Sequence, residues 1–73
     1  MNGGYALRAC VLLRLQARKG EWVSVGDLAS HLAVSVERAR HVCLQLVDEG
    51  TAHQAQHTQR GELYGIGVEG VTP

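Results

Sequence analysis

The chain has 73 residues with one proline, no phenylalanine and 45% hydrophobic content, a composition that fits one small folded domain. A chain of this length buries only about 60% of its unfolded surface, so its core is thin and a barrel or doubly wound enzyme is excluded. Seven Lys and Arg residues balance seven Asp and Glu residues to a formal net charge of zero, so the molecule as a whole does not attract nucleic acid or membranes.

The first predicted element is a helix over residues 5–19, which contain no glycine or proline and are rich in Ala, Leu, Arg and Gln. Arg14 and Arg18 fall in its second half, where cations complement the negative end of the helix dipole. Gly20 follows directly and is a typical helix stop. Residues 1–4 are expected to form a flexible lead-in.

The apolar residues of this first helix occupy two arcs. Leu12 and Leu15 point one way, whereas Cys10, Leu13 and Ala17 lie on another arc. Two alternatives follow: the helix is central in the core, which we favour because a small domain has few helices to bury, or its second face meets a partner. A partner face predicts a homodimer through the first helix, with these candidate contact residues: Leu7, Val11, Leu12 and Leu15.

A short strand and a second helix come next. Residues 21–24 include an aromatic and a β-branched residue and predict a brief strand. Ser24 with Asp27 three residues later resembles a capping box, which marks a helix start. The apolar residues that follow have the spacing of one buried helical stripe: Val25, Leu28, Ala29 and Leu32. His31 lies on the other side and is expected to face solvent.

After a tight break at residues 33–34, Ser35 is expected to cap a third helix that runs to about Glu49, with Gly50 ending it. Its buried stripe comprises Ala39, Val42, Cys43, Leu46 and Val47. The opposite side of the helical wheel centres on Glu37, His41, Leu44 and Asp48. An exposed leucine in that position indicates a protein contact.

The chain beyond Gly50 changes pattern and predicts a two-stranded hairpin. Residues 51–57 are polar without a helical stripe, residues 58–61 have turn chemistry, and residues 62–68 contain Leu, Tyr, Ile and Val. The turn is expected near Arg60 and Gly61. Glycines at positions 65, 67 and 70 loosen the tail, and residues 69–73 form a flexible terminus.

The cysteines and histidines do not indicate a metal site. Cys10 and Cys43 sit in apolar periodic segments, so we expect two buried, reduced thiols in a cytoplasmic protein, with a single disulfide as the alternative. Zinc-ligand spacing is absent, although His53 and His57 are four residues apart, so no metal or cofactor is expected. The chain does not open with a basic segment followed by an apolar one, so export is not expected. Its longest apolar run, residues 9–13, is far shorter than the ~20 residues of a membrane span.

Residues 28–35, followed by Ala39, Val42, Leu46 and Gly50 at the appropriate spacing, resemble the helix-turn-helix of winged-helix DNA-binding domains. The resemblance covers residues 5–68. Within it, the chain is similar to small single-domain bacterial regulators, such as pilus-operon regulators, and to the DNA-reading domains of MarR-like repressors. It implies an α+β, mainly α winged helix-turn-helix with three helices, a short strand after the first helix and a C-terminal β-hairpin wing.

The same resemblance implies a sequence-specific, double-stranded DNA-binding transcription regulator from a bacterium or its mobile elements. The third helix enters the major groove, where Arg38 or Arg40 pairs with guanine, Gln45 reaches adenine and Val36 packs on a thymine methyl. Backbone amides at the start of the second helix hold a phosphate, and the wing touches the backbone or minor groove. The implied contact residues are Ser24, Val25, Ser35, Val36, Arg38, Arg40, His41, Gln45, His57, Thr58, Gln59 and Arg60.

An alternative function is a protein-interaction module that serves as an accessory subunit of a larger complex. It would dock through Leu44 and the second face of the first helix. In that case Arg38 and Arg40 are solvated surface residues and Val36 only staples the helix start. An enzyme is not expected, because the sequence has no glycine-rich phosphate loop, nucleophile motif or paired carboxylates at a cleft.

Overall fold

The computed structural model describes residues 3–68, which form three helices and a small antiparallel sheet. In chain order the elements are α1 (Gly3–Ala17), β1 (Val23–Ser24), α2 (Val25–Leu32), α3 (Val36–Asp48), β2 (His53–His57) and β3 (Gly61–Gly65). The architecture is α+β and mainly α, and the predicted number and order of helices and strands are confirmed. The expected flexible segments at residues 1–2 and 69–73 lie outside the described residues.

Helix α1 begins and ends two residues earlier than predicted. Gly3 and Gly4 belong to the helix, and residues 18–20 form a turn after it. The amide of Arg18 closes that turn on the carbonyls of Arg14 and Leu15, at 3.2 Å from each. Gly20 ends the segment as expected, because its φ of +88° is one that glycine adopts without strain.

Only one face of α1 is buried. Leu7, Val11 and Leu15, spaced by four residues, lie in the core. Leu13 is 65% exposed, and Cys10 is exposed as well. The expectations that α1 is central and that Cys10 is buried are therefore wrong, because α2, α3 and a three-stranded sheet cover a single side of this helix.

The homodimer contact predicted through α1 falls on the wrong residues. Leu7, Val11 and Leu15 are all less than one-tenth exposed, since they pack against the rest of the core, and Leu12 is half-buried. A partner that met α1 would instead contact the outer arc, where Leu13 is exposed.

Both predicted serine caps are present. Ser24 Oγ accepts the amide N–H of Asp27 at 3.0 Å, and Ser35 Oγ accepts that of Arg38 at 3.1 Å. Between them, Ala33 adopts a left-handed φ of +58° and ends α2. The short break that follows sets α3 against α2, with the predicted stripes of both helices facing the core.

The sheet is larger than the predicted hairpin, because β1 joins it in the order β1-β3-β2. The hairpin itself is as predicted: His57 pairs with Gly61 across a turn at residues 58–60. On the other edge of β3, Val23 pairs with Tyr64. Tyr64 is fully buried, and its hydroxyl accepts a hydrogen bond from Gln54 Nε2 at 3.0 Å.

Gly65 belongs to the sheet rather than to a loosened tail. A Cβ on it would lie 2.5 Å from Val68 Cγ1 and 2.9 Å from the carbonyl oxygen of Glu21. A glycine is therefore required at position 65, because Glu21 and Val68 of the same chain approach its backbone closely.

One hydrophobic core joins all these elements. Its buried members are Leu7, Val11, Leu15, Val23, Val25, Leu28, Ala29, Ala39, Val42, Cys43, Leu46, Ala52 and Tyr64. No helix among residues 3–68 combines the length and apolar character that crossing a membrane requires.

Candidate nucleic-acid interface

The start of α3 stands at the surface of the domain. Ser35 and Val36 are exposed there, and so are Glu37 and Arg38 in the first turn of the helix. Within residues 3–68 the Arg38 guanidinium has neither a carboxylate nor a hydrogen-bond acceptor as partner. Of the predicted base-contacting residues, Val36 and Arg38 are therefore accessible, and Arg38 offers a free planar donor.

Arg40 differs from Arg38 because it is held by the hairpin. Its Nε donates to Oε1 of Glu62 on β3 at 2.6 Å. This hydrogen bond and the charge of Glu62 raise the pKa of Arg40. Glu62 thus competes with the predicted guanine contact of Arg40, since this carboxylate 22 residues away already accepts from Nε and offsets the charge of the guanidinium.

His41 and Gln45 are both exposed on α3, and their Nε2 atoms lie 3.4 Å apart, one helical turn from each other. Beside them, Leu44 is 40% exposed, which confirms the prediction of a surface leucine. The same surface carries Asp48 and forms a shallow depression of about 450 Å³. This end of α3 can therefore offer an amide and an imidazole to a polar partner, or a leucine to an apolar one.

Ser24 and Val25 are predicted to hold a phosphate through their backbone amides at the start of α2. Both are buried, Val25 in the core and Ser24 within the paired strand β1. The Ser24 hydroxyl is also occupied by its capping bond to Asp27. The two side chains are therefore not available to a phosphate, and the contact through the two backbone amides stays a prediction; the exposed residues of the first α2 turn are Gly26 and Asp27.

The hairpin turn is exposed and internally ordered. His57 Nδ1 accepts the amide N–H groups of Gln59 and Arg60, each at 3.1 Å. Thr58 lies in the same exposed turn. The Arg60 side chain does not extend into solvent freely, because its Nη2 donates to the carbonyl oxygen of Trp22 at 3.1 Å. Three of the four predicted turn contacts are thus free to meet a partner, and the fourth is drawn back toward β1.

Metal ligation has no support in the part of the chain that the structure describes. No group of three His, Cys, Asp or Glu side chains comes close enough to hold an ion. Cys43 is fully buried, and burial raises the pKa of its thiol to about 12, so it stays protonated and unreactive. Cys10 is a free thiol at the surface, so the alternative of a Cys10–Cys43 disulfide is not present.

A second concentration of charge lies away from α3, between α1, β1, α2 and the hairpin turn. It is a polar cavity of about 310 Å³ whose lining includes Arg14, Arg18, Trp22, Asp27, His31 and Arg60. Arg60 is 42 to 46 positions away from the other two arginines in the sequence. Local sequence patterns therefore could not predict that the three side chains meet at one cavity. The partner of Arg40, Glu62, was missed for the same reason.

No protein-family model matches the sequence, and comparison with curated proteins also found no match. The geometry of the domain therefore carries the functional argument.

Proposed function

We propose that this chain is a winged-helix regulator that binds double-stranded DNA, with α3 in the major groove and the β2–β3 hairpin beside the backbone or minor groove. It acts without catalysis or cofactor, and we place it in the bacterial cytoplasm, where the family it resembles works. The element order, the serine caps on both sides of the α2–α3 break and the three-stranded sheet support this proposal.

One observation carries the proposal: α3 is buried along one stripe only and is open along the rest. Ala39, Cys43 and Leu46 anchor it in the core, whereas the side that bears Val36 and Arg38 faces outward. An α-helix exposed in this way fits the major groove, which is about 12 Å wide. Helix N-termini also favour anions, so the exposed first turn of α3 suits a neighbouring phosphate.

The charge of α3 indicates modest affinity. Arg38 is its one unpaired arginine in the described structure, and Glu37 and Asp48 repel phosphates from the same helix. A single reading domain buries about 600–1,000 Å² on DNA, which is small for a specific complex. We therefore expect a homodimer on a palindromic site, or a partner protein, to supply the remaining affinity.

The first test is the salt dependence of duplex binding, because each neutralised phosphate contributes about −0.9 to the slope of log affinity against log salt. Arg38 and Arg60, with a partial contribution from Arg40, predict a slope of about −2 to −3 for one chain and about twice that for a dimer. Selection of bound sites from random duplexes supplies the sequence to be tested. A flat salt response, or no enriched site, contradicts the proposal.

The second test separates α3 from general charge. Arg38→Ala should lower the affinity for the selected site by about 1–3 kcal/mol and relax preference at one base pair. Arg8→Ala is the matched control: it removes the same charge from α1, where Arg8 pairs with Glu49. Equal losses in the two variants would show that α3 does not read the site.

A second candidate function, a protein-interaction module, is favoured by the exposure of Leu44 on α3 and Leu13 on α1. Leu44→Glu distinguishes the two functions. If duplex binding remains while a protein partner is lost, the interaction module is the better assignment; if duplex binding is lost together with sequence preference, α3 is the DNA-contacting element.

A further inference from the structure

The cavity between α1, β1, α2 and the hairpin turn gathers three of the seven cationic Lys and Arg side chains of a chain that has no net charge. Arg14 and Arg18 approach it from α1 and from the turn after α1, and Arg60 approaches from the hairpin. His31 adds an imidazole from the exposed side of α2. Four nitrogen-rich side chains thus surround a space of about 310 Å³.

The donors at this cavity are only partly used. Arg18 Nη2 lies 2.7 Å from Oε1 of Glu21, and Arg60 donates one N–H to the Trp22 carbonyl oxygen. Arg14 is half-buried, and in the described structure it has no carboxylate or hydrogen-bond partner. Asp27 is the carboxylate that lines the cavity, and Glu21 offsets the charge of Arg18, so the charges of Arg14 and Arg60 exceed that of Asp27 by one. Guanidinium N–H groups without an acceptor that surround one space match the oxygens of a phosphate, which accept forked hydrogen bonds.

We propose that this cavity binds a phosphate group, through Arg14, Arg18 and Arg60. Its volume accommodates a phosphate ester, and Trp22 in the wall offers an aromatic surface beside it. The phosphate belongs either to a nucleic-acid backbone or to a small phosphorylated molecule. No residue of α3 lines the cavity, so this site does not depend on the proposed insertion of α3 into a groove.

Trp22 is the single tryptophan of the chain and lines this cavity, so the tryptophan emission reports on its surroundings. The experiment titrates the full chain with inorganic phosphate and, in parallel, with sodium chloride at equal ionic strength. The expected result is a saturable change in Trp22 emission with phosphate that chloride does not reproduce. Titrations with AMP and with a DNA duplex identify the source: a response to phosphate and AMP indicates a small molecule, and a response to duplex alone that Arg14→Gln abolishes indicates a backbone phosphate. No saturable response to any of the three overturns the proposal.

Two variants of opposite sign test the residues. Arg14→Gln should weaken binding at least tenfold, because it removes hydrogen bonds to a charged group. Asp27→Asn should strengthen binding about threefold, the effect of one unit charge at about 6 Å in water. Arg8→Gln, the same substitution elsewhere on α1, should bind like the unmodified chain. A gain in Asp27→Asn cannot come from a folding defect, so it remains informative if Arg14→Gln is unstable.

Unchanged affinity in both Arg14→Gln and Asp27→Asn would refute the site. Failure of this proposal is separable from failure of the DNA proposal. Arg38→Ala should reduce binding to a selected duplex without changing the phosphate response of Trp22, and Arg14→Gln should change the phosphate response whether or not a duplex binds.

Discussion

Removing the charge of Glu62 should strengthen duplex binding, because Glu62 neutralises an arginine on the proposed DNA-binding helix. The Arg40 and Glu62 side chains are 40% and 22% exposed, and Nε lies 2.6 Å from Oε1. A pair this exposed to solvent contributes little to stability. Glu62→Gln keeps a carbonyl oxygen near Nε and deletes the negative charge, so the domain should remain folded.

The size of the effect follows from counting charges. The substitution leaves seven cations against six acids and changes the net charge from zero to +1. If Arg40 then neutralises one more phosphate, the slope of log affinity against log salt becomes more negative by about 0.9. Since affinity scales with that power of the salt concentration and the two proteins should bind alike at about 1 M salt, binding by Glu62→Gln at 50 mM salt should be about tenfold tighter.

Fluorescence anisotropy of a labelled duplex, measured over a series of salt concentrations, gives both the slope against salt and the affinity at 50 mM salt. Glu49→Gln is the matched control, because it produces the same net charge but frees Arg8 on α1. A steeper slope in Glu62→Gln alone is the expected result. Equal slopes in the two variants would mean that net charge, and not release of Arg40, governs the affinity, and the reasoning about α3 would then be refuted.

Two further predictions concern stability. Gly65→Ala should destabilise the fold by about 1–3 kcal/mol, because the new Cβ meets Val68 and a backbone carbonyl. Gly26→Ala lies in open space on α2 and should stabilise the fold by about 0.5–1 kcal/mol. Urea denaturation measures both free energies of unfolding, and similar changes in the two variants would contradict the packing around β3. Between pH 9 and about pH 12 the Cys43 thiol ionises in the unfolded chain, whereas in the fold burial raises its pKa to about 12 and keeps it protonated. The free energy of unfolding should therefore fall by about 1.4 kcal/mol per pH unit in this range. Cys43→Ala should reduce this pH dependence, and Cys10→Ala should not.

The caps and helical stripes were predictable from the sequence because they depend on neighbours three or four residues away. Ser24 and Ser35 each accept an amide three positions later, so the residue types at those spacings are sufficient. The hairpin turn before Gly61 is equally local. Each of these elements is specified by a few consecutive side chains and needs no knowledge of the rest of the fold.

Contacts between distant residues could not be predicted in the same way. The two apolar arcs of α1 look alike in the sequence, and only packing against α2, α3 and the sheet decides that Leu15 is buried and Cys10 exposed. The pairing of β1 with β3 requires that residues about 40 positions apart meet. Glu62 reaches Arg40 through the same long-range arrangement, so the accessibility of a predicted base-contacting residue depended on the tertiary fold.

The ion pairs decide where this neutral chain can bind an anion. Three of its arginines, Arg8, Arg18 and Arg40, have carboxylate partners in the described structure. The cationic charge that remains is that of Lys19 after α1, of Arg38 on α3, and of Arg14 and Arg60 at the cavity. Salt dependence counts these cations directly, because each phosphate they neutralise adds about −0.9 to the slope. A slope near −2 for one chain would therefore indicate binding by α3 and the hairpin alone, whereas a steeper monomer slope that Arg14→Gln reduces would show that the cavity takes part in the same complex.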